Sequence, residues 1–312
     1  MPAARLPFKP FIICLAIAGL GLAACDGGEK LPEVGKLIAQ LQSDKPAARK
    51  RAAVFLGKHG PRAASAVSAL LDAADRTVPP GEAKARGQAA KPKGKGGKPQ
   101  VVDDTQLYDA VVKALSRTGR AGVPGLIEGL ERPGQRSAWA AMTALSWIGK
   151  PAVQPLIETL GRDNDQARDL AATALAGIGA RAADAVPALM EVARGRYGSA
   201  SGQAVVALGK IGGAAVPGLL ELLDDPRMGP RRAEVITAIG QVGAAAKPAV
   251  STLLSLLEED DQKTRLASVL ALGEIGPAAE AAIPKLMRLE RDDRTQVARI
   301  AGRALDRIAP NR

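Results

Sequence analysis

The chain has 312 residues, a formal net charge of +11 and only 2 % aromatic residues. So few rings exclude a globular core filled by Phe, Tyr and Trp and point to closely spaced helices packed with Ala, Leu and Val. One histidine, His59, and two cysteines, Cys14 and Cys25, exclude a disulfide framework and any metal centre that needs several His ligands.

At the N-terminus Arg5 and Lys9 precede an apolar run, Phe11–Ala24, of 14 residues. A spanning helix needs about 20 apolar residues, so the run fits the apolar region of an export signal. It ends in Leu22-Ala23-Ala24-Cys25, which resembles the bacterial lipobox. That resemblance implies cleavage before Cys25, lipidation of its sulfur and acylation of its freed amine. Several acyl chains exceed the two signals that stable anchoring requires. Asp26, next to the cysteine, resembles the inner-membrane retention signal of enteric lipoproteins and favours the periplasmic face of that membrane. The expected organisation is a signal peptide over 1–24, a lipidated Cys25 with a short tether to residue 30, and a folded body over 31–309.

The body repeats. Phe55-Leu56-Gly57-Lys58-His59-Gly60, Ala207-Leu208-Gly209-Lys210-Ile211-Gly212 and Ala271-Leu272-Gly273-Glu274-Ile275-Gly276 each close an apolar helix with glycine. The closing residues Gly60, Gly119, Gly149, Gly179, Gly212, Gly243, Gly276 and Ala309 are spaced by 59, 30, 30, 33, 31, 33 and 33. Glycine closes a helix cheaply in the left-handed cap conformation. A second stamp follows each glycine, as in Val123-Pro124-Gly125-Leu126, Ala152-Val153-Gln154-Pro155-Leu156 and Val186-Pro187-Ala188-Leu189, and proline suits a first helical turn. Each unit is therefore a helix A, a turn, a helix B and a glycine turn. One unit cannot bury both of its faces, whereas a stack can. These residues resemble HEAT repeats, more closely the phycobilin-lyase-like group, over about Leu31–Ala309. The resemblance implies an all-α, right-handed α-solenoid of about eight helix pairs.

Within the second unit an insert, 76–102, carries seven Lys or Arg against the single Glu82. Its Pro/Gly/Lys composition predicts a disordered loop. Removing this surplus of six and the two N-terminal cations leaves the rest of the chain at about +3. Lys91, Lys93, Lys95 and Lys98 are candidates for contact with anionic headgroups, worth about 1 kcal/mol each near a membrane surface; a solvated loop without a partner is the alternative. The insert has no aromatic side chain to stack on bases, and nucleic acid is not an expected partner.

Numbered back from the closing glycine, B-helix positions −1, −4, −5 and −8 are apolar or small and read as core. Positions −2, −6 and −10 share a stripe and vary freely. They include Lys113 and Arg117, then Trp139, Thr143 and Trp147, then Thr173, then Lys210. Tryptophan and arginine are enriched at binding hot spots, which makes these seven the candidate partner-binding residues. Gap-filling by the two indoles is the competing reading. Eleven residues before the glycine stand Arg49, Arg168, Arg232 and Arg265, each after an Asp; in HEAT-like stacks such pairs read as an Asp–Arg ladder between units.

Catalysis finds no support. His59 fills a slot held by Ile in other units, a lipidated Cys25 leaves no free thiol beyond the signal peptide, and the glycines of Lys91–Lys98 do not open a helix after a strand. Neither a metal nor a cofactor is expected. The sequence reads as a non-enzymatic, membrane-anchored scaffold that binds another protein at the bacterial cell envelope. A subunit of a lyase-type enzyme is the alternative.

Overall fold

In the computed structural model the described residues are 31–77, 105–195, 198–292 and 296–310. Cys25, the signal segment, the tether and the insert lysines Lys91, Lys93, Lys95 and Lys98 lie outside them. Among the described residues sixteen α-helices fall into eight pairs, with odd-numbered A helices and even-numbered B helices. The pairs are α1 (Val34–Leu41) with α2 (Pro46–His59), α3 (Val67–Asp75) with α4 (Thr105–Arg117), α5 (Val123–Leu130) with α6 (Gln135–Ile148), and α7 (Lys150–Leu160) with α8 (Asp165–Ile178). They continue as α9 (Val186–Arg194) with α10 (Ser199–Ile211), α11 (Val216–Asp224) with α12 (Arg232–Gln241), α13 (Val250–Leu256) with α14 (Gln262–Ile275), and α15 (Ile283–Asp292) with α16 (Gln296–Ile308). No strand occurs among the described residues. The fold is an all-α solenoid, and α3 packs on α4 across the insert as one unit.

The core is a continuous column of Leu, Ala and Val. Positions −4 and −8 are closed to solvent in every unit and −5 in all but the first, with Ala141, Ala144, Leu145, Ala171, Ala174 and Leu175 all 0 % exposed. Position −1 is half-buried at His59, Ile148 and Val242, as is Phe55 at −5. Each fully buried leucine contributes about 1.5–3 kcal/mol, so Leu56, Leu115, Leu145 and Leu175 along successive B helices do most to hold the units in register. The run Gln262–Arg291 is apolar enough for a membrane span, yet 56 % of its apolar window is buried in the stack. It is also broken by the turn at Gly276–Ala282.

Neighbouring B helices touch through a second set of small residues. A Cβ on Gly57 would stand 3.4 Å from Ala114 Cα, on Gly209 3.2 Å from Ala238 Cα, on Gly240 2.8 Å from Ala271 Cα, and on Gly273 3.1 Å from Ala304 Cα. Position −3 of one B helix thus lies on the backbone at position −5 of the next. In the third unit Ser146 takes this place and donates to the Ala174 carbonyl at 3.3 Å.

The closing glycines differ from expectation. All seven have positive φ, between 58° and 85°, but where ψ is defined for the cap it runs from −131° at Gly60 to −142° at Gly276. This lies outside the left-handed helical region and in territory nearly restricted to glycine. The geometry lets one residue serve two helices. Gly149 N–H donates to the Leu145 carbonyl at 3.1 Å, while the Gly149 carbonyl accepts from Ala152 N–H at 2.8 Å. Most of these glycines open a 3₁₀ turn before the A helix. After Gly149 no such turn forms: α7 starts at once on Lys150 and Pro151, which places Pro155 inside the helix instead of in its first turn.

The arginines at position −11 are a second correction. Arg168, 5 % exposed, donates to the carbonyls of Leu160 and Arg162 at 3.2 and 2.5 Å and to Asp165 of its own helix. Arg49 likewise donates to the Ser43 carbonyl at 3.0 Å. These guanidiniums cap the orphaned carbonyl end of their own unit's A helix and the loop after it. Arg232 differs, reaching Glu259 of the next unit through two bonds of 2.8 and 2.9 Å. A ladder between units does exist, on the loop edge and largely from other residues: Asp72–Arg132 at 2.6 Å, Glu131–Arg162 at 2.7 Å, Asp225–Arg194 at 3.2 Å, and Glu258–Lys285. Asp225 Oδ1 also accepts from Arg227 N–H at 2.9 Å and so starts the turn Pro226–Arg231.

Backbone strain at the closing glycines is separable from packing. Gly212 has φ 85° and open space where a Cβ would stand, so Gly212→Ala should lower unfolding free energy by about 1–3 kcal/mol through backbone strain alone. Gly35→Ala, on an open face of α1 with no unusual φ, should raise it by up to about 1 kcal/mol; urea titration of both variants distinguishes the two effects. The Arg227 and Arg194 bonds hold the Asp225 carboxyl at about 2, down from the ordinary 3.8. A lowered folded-state value means stability present above pH 3.8 and lost as pH falls toward 2, so acid titration of Asp225→Asn should show a shallower loss across that window than the parent.

Candidate interaction surface

The stripe at −2, −6 and −10 lies where the B-helix contacts leave off. Position −3 is pressed against the next helix, so the residue beside it turns outward. On α6 this leaves Trp139 and Trp147 exposed, at 55 % and 56 %, about 12 Å apart along the axis at 1.5 Å per residue. Neither indole fills a gap in the stack. An indole so exposed keeps most of its apolar area in water, unlike the buried rings of a globular core. Thr143 between them is half-buried, and its hydroxyl donates to the Trp139 carbonyl at 2.8 Å.

The other candidates fall on the same face. Lys113 and Arg117 are exposed on α4, which packs beside α6. Lys210 is exposed on α10. Thr173 on α8 is half-buried and donates to the Asp169 carbonyl at 2.9 Å, so both threonines spend their hydroxyl on their own helix and offer a partner mainly a methyl group.

Three grooves run between consecutive B helices. One of about 390 Å³ lies between α2 and α4, with Lys50, Val54, Asp109, Lys113 and Arg117 along it. A second, about 350 Å³, lies between α10 and α12 around Val206 and Thr237. The third, about 410 Å³, lies between α14 and α16 around Leu270 and Arg303. Their exposed aliphatic residues, Val54, Val206 and Leu270 at 41 %, 41 % and 46 %, all occupy position −6. The register of the closing glycines carries that regularity in the sequence, where the tryptophans of the same stripe overshadow it.

His59 is engaged structurally: its Nε2 lies 2.8 Å from the Pro32 carbonyl, toward which a ring N–H donates. Among the described residues no group of three or more His, Cys, Asp or Glu is placed to hold a metal ion. The surface offers rings, aliphatic patches and cations for contact.

The family of HEAT repeats matches residues 153–240 and 230–306. No curated protein matches the chain. Among solved structures, an engineered protein is similar at 20 % identity and a TM-score of 0.42, with 88 % of each chain covered. The complex of CpcE and CpcF of phycocyanin lyase from Nostoc sp. PCC7120 is similar at 22 % identity and a TM-score of 0.32, over 93 % of this chain and 100 % of that one. Kap121p bound to Nup53p is similar at 15 % identity and a TM-score of 0.49, over 89 % of this chain and 33 % of that one. This chain thus spans about a third of the karyopherin's length. The helix pairs of residues 153–306 are HEAT repeats, and the protein carries them in an all-α solenoid.

Proposed function

We propose that this protein is a membrane-anchored scaffold of the bacterial cell envelope that holds another protein against its B-helix face. The observation that carries the reading is the pair of half-exposed tryptophans on α6, on a face otherwise furnished with small residues, single aliphatics and charged side chains of both signs. Exposed rings of this kind lose water only when a partner covers them, which is the setting in which tryptophan dominates binding energy. Anchoring rests on Leu22-Ala23-Ala24-Cys25 and the inner-membrane side on Asp26. The reading assigns the chain binding and no catalysis.

Each half has its own test. Labelled palmitate should incorporate into the parent and not into Cys25→Ala; equal labelling of both would remove the anchor from the proposal. For the surface, Trp139→Ala with Trp147→Ala should leave stability within about 0.5 kcal/mol, as expected of exposed positions. The same pair should reduce partner crosslinking in native membranes at least about tenfold, since a hot-spot residue costs about 2 kcal/mol or more. Unchanged crosslinking would remove the tryptophans from the contact, and a melted fold would place them in a structural role.

A further inference from the structure

The grooves between B helices differ in charge. In the one between α14 and α16, Arg307 pairs with Glu274. In the one between α10 and α12 the single carboxylate, Glu234, pairs with Arg231 at 3.8 Å. The groove between α2 and α4 is unlike both. Lys50, Lys113 and Arg117 stand along it against one carboxylate, Asp109, and Lys58 flanks its end at position −2 of α2. Lys50 donates to the neutral Gln106, and Lys58 lies 5.1 Å from the centre of the Phe55 ring. Neither these two nor Lys113 and Arg117 have a carboxylate within salt-bridge distance among the described residues. The stem of Arg117 is laid across α2 where Gly57 lacks a side chain, its Cδ 3.6 Å from the place a Cβ would take. The floor between the cations is apolar, with Val54 41 % exposed.

We propose that this groove binds an extended acidic segment of the partner protein, with a large apolar side chain beside its carboxylates. The inference rests on the scaffold reading and names the chemistry of the partner. Lys113 and Arg117, one helical turn apart, are separated by about 6 Å. In an extended chain, side chains two residues apart on one face are separated by about 6.6 Å, so alternate carboxylates meet both cations while the intervening side chains face the other way. Unpaired cations at the lip of an apolar groove strengthen such pairs, because charge-assisted bonds gain as water is excluded. On the far side of α4 lies α6, where Trp147 holds the same register position as Arg117 and Trp139 the same as Asp109. A segment lying along α4 with its carboxylates on Lys113 and Arg117 ends at the level of Arg117, from which the apolar residue after them turns over α4 toward Trp147 at the same register position. A flat lipid surface reaches the lip of a groove but leaves its apolar floor uncovered, which favours a peptide chain as occupant.

The test titrates the purified protein with a short peptide alternating Asp and Ala and ending in Phe. Its controls are the same peptide with Asn for Asp, vesicles of phosphatidylglycerol and a single-stranded oligonucleotide. The acidic peptide should bind at least about tenfold more tightly than the Asn peptide, with affinity falling as salt rises. Lys113→Glu with Arg117→Glu should abolish that preference. Both side chains are exposed, and because the Arg117 stem lies on α2, circular dichroism of the double variant and of Lys113→Glu alone, which should weaken the preference with the fold intact, separates lost binding from lost folding. Equal affinity for the two peptides, an unchanged preference in the double variant, or stronger binding to vesicles or oligonucleotide would each overturn the inference. Crosslinking of the native partner by the same double variant separates the two readings. Capture retained with no acidic preference removes the groove chemistry and leaves the scaffold, whereas capture lost in the tryptophan variant but kept in the charge variant assigns the contact to α6 alone.

Discussion

The close approach of consecutive B helices governs most of what is distinctive here. A small residue at position −3 meets the backbone at position −5 of the next helix, with Gly240 so near Ala271 that a methyl group would stand 2.8 Å from its Cα. At that separation only Ala, Gly, Ser and slender aliphatic side chains fit between helices, so the core is built of Leu and Ala. Packing density is recovered by bringing backbones together instead of filling space with rings. The low aromatic content is therefore a consequence of helix spacing. The two tryptophans stand outside the closest contacts, at positions the spacing turns toward solvent, while Tyr108 on α4 packs at the edge of the seam with α6, 4.7 Å from the Arg136 guanidinium.

The unequal repeat lengths have a local cause. Units closing after 33 residues, those beginning at Gly179, Gly243 and Gly276, each carry a seven-residue 3₁₀ turn before the A helix. Units closing after 30 residues have a four-residue turn at Gly119–Gly122 or none after Gly149. The B helices other than α12 keep 13 or 14 residues, and the chain absorbs most of the difference where it turns. Glycine is required at that point because the cap is neither helical nor left-handed helical. It continues the hydrogen bonds of one helix while its carbonyl begins the next, a geometry that asparagine, tolerated in an ordinary left-handed cap, does not reach.

Much of this was legible in the sequence because it depends on period. The closing glycines, the buried face at −1, −4, −5 and −8, and the interruption of the second unit all follow from counting, and α3 packs on α4 as that count requires. What escaped was geometry that period does not encode. Gly57, Gly209 and Gly273 stand inside the repeated motifs, but a glycine in a helix reads as a weak spot until the neighbouring helix is seen against it. The −11 arginines read as rungs because an Asp precedes them; spacing alone does not say whether a guanidinium reaches sideways to the next unit or back to carbonyls eight residues away, as Arg168 does. The tryptophan stripe is visible as a pattern, and its exposure comes only with the structure.

Charge is also sorted by place. Along the loop edge, cations and carboxylates of adjacent units pair with each other, and exposed pairs of this kind add little to stability. Their worth lies in registry: a unit slipped past its neighbour would set Arg132 against Arg162 and Glu131 against Asp72. On the B-helix face the same pairing occurs at the far end, between Glu274 and Arg307, but in the first groove it is missing. Unpaired cations in a folded protein repel one another, so this cluster opposes the compact state until an opposite charge meets it. Such a cluster beside two exposed indoles concentrates unsatisfied interactions over three neighbouring units, whereas the groove between α14 and α16 sets Glu274 against Arg307 and that between α10 and α12 sets Glu234 against Arg231.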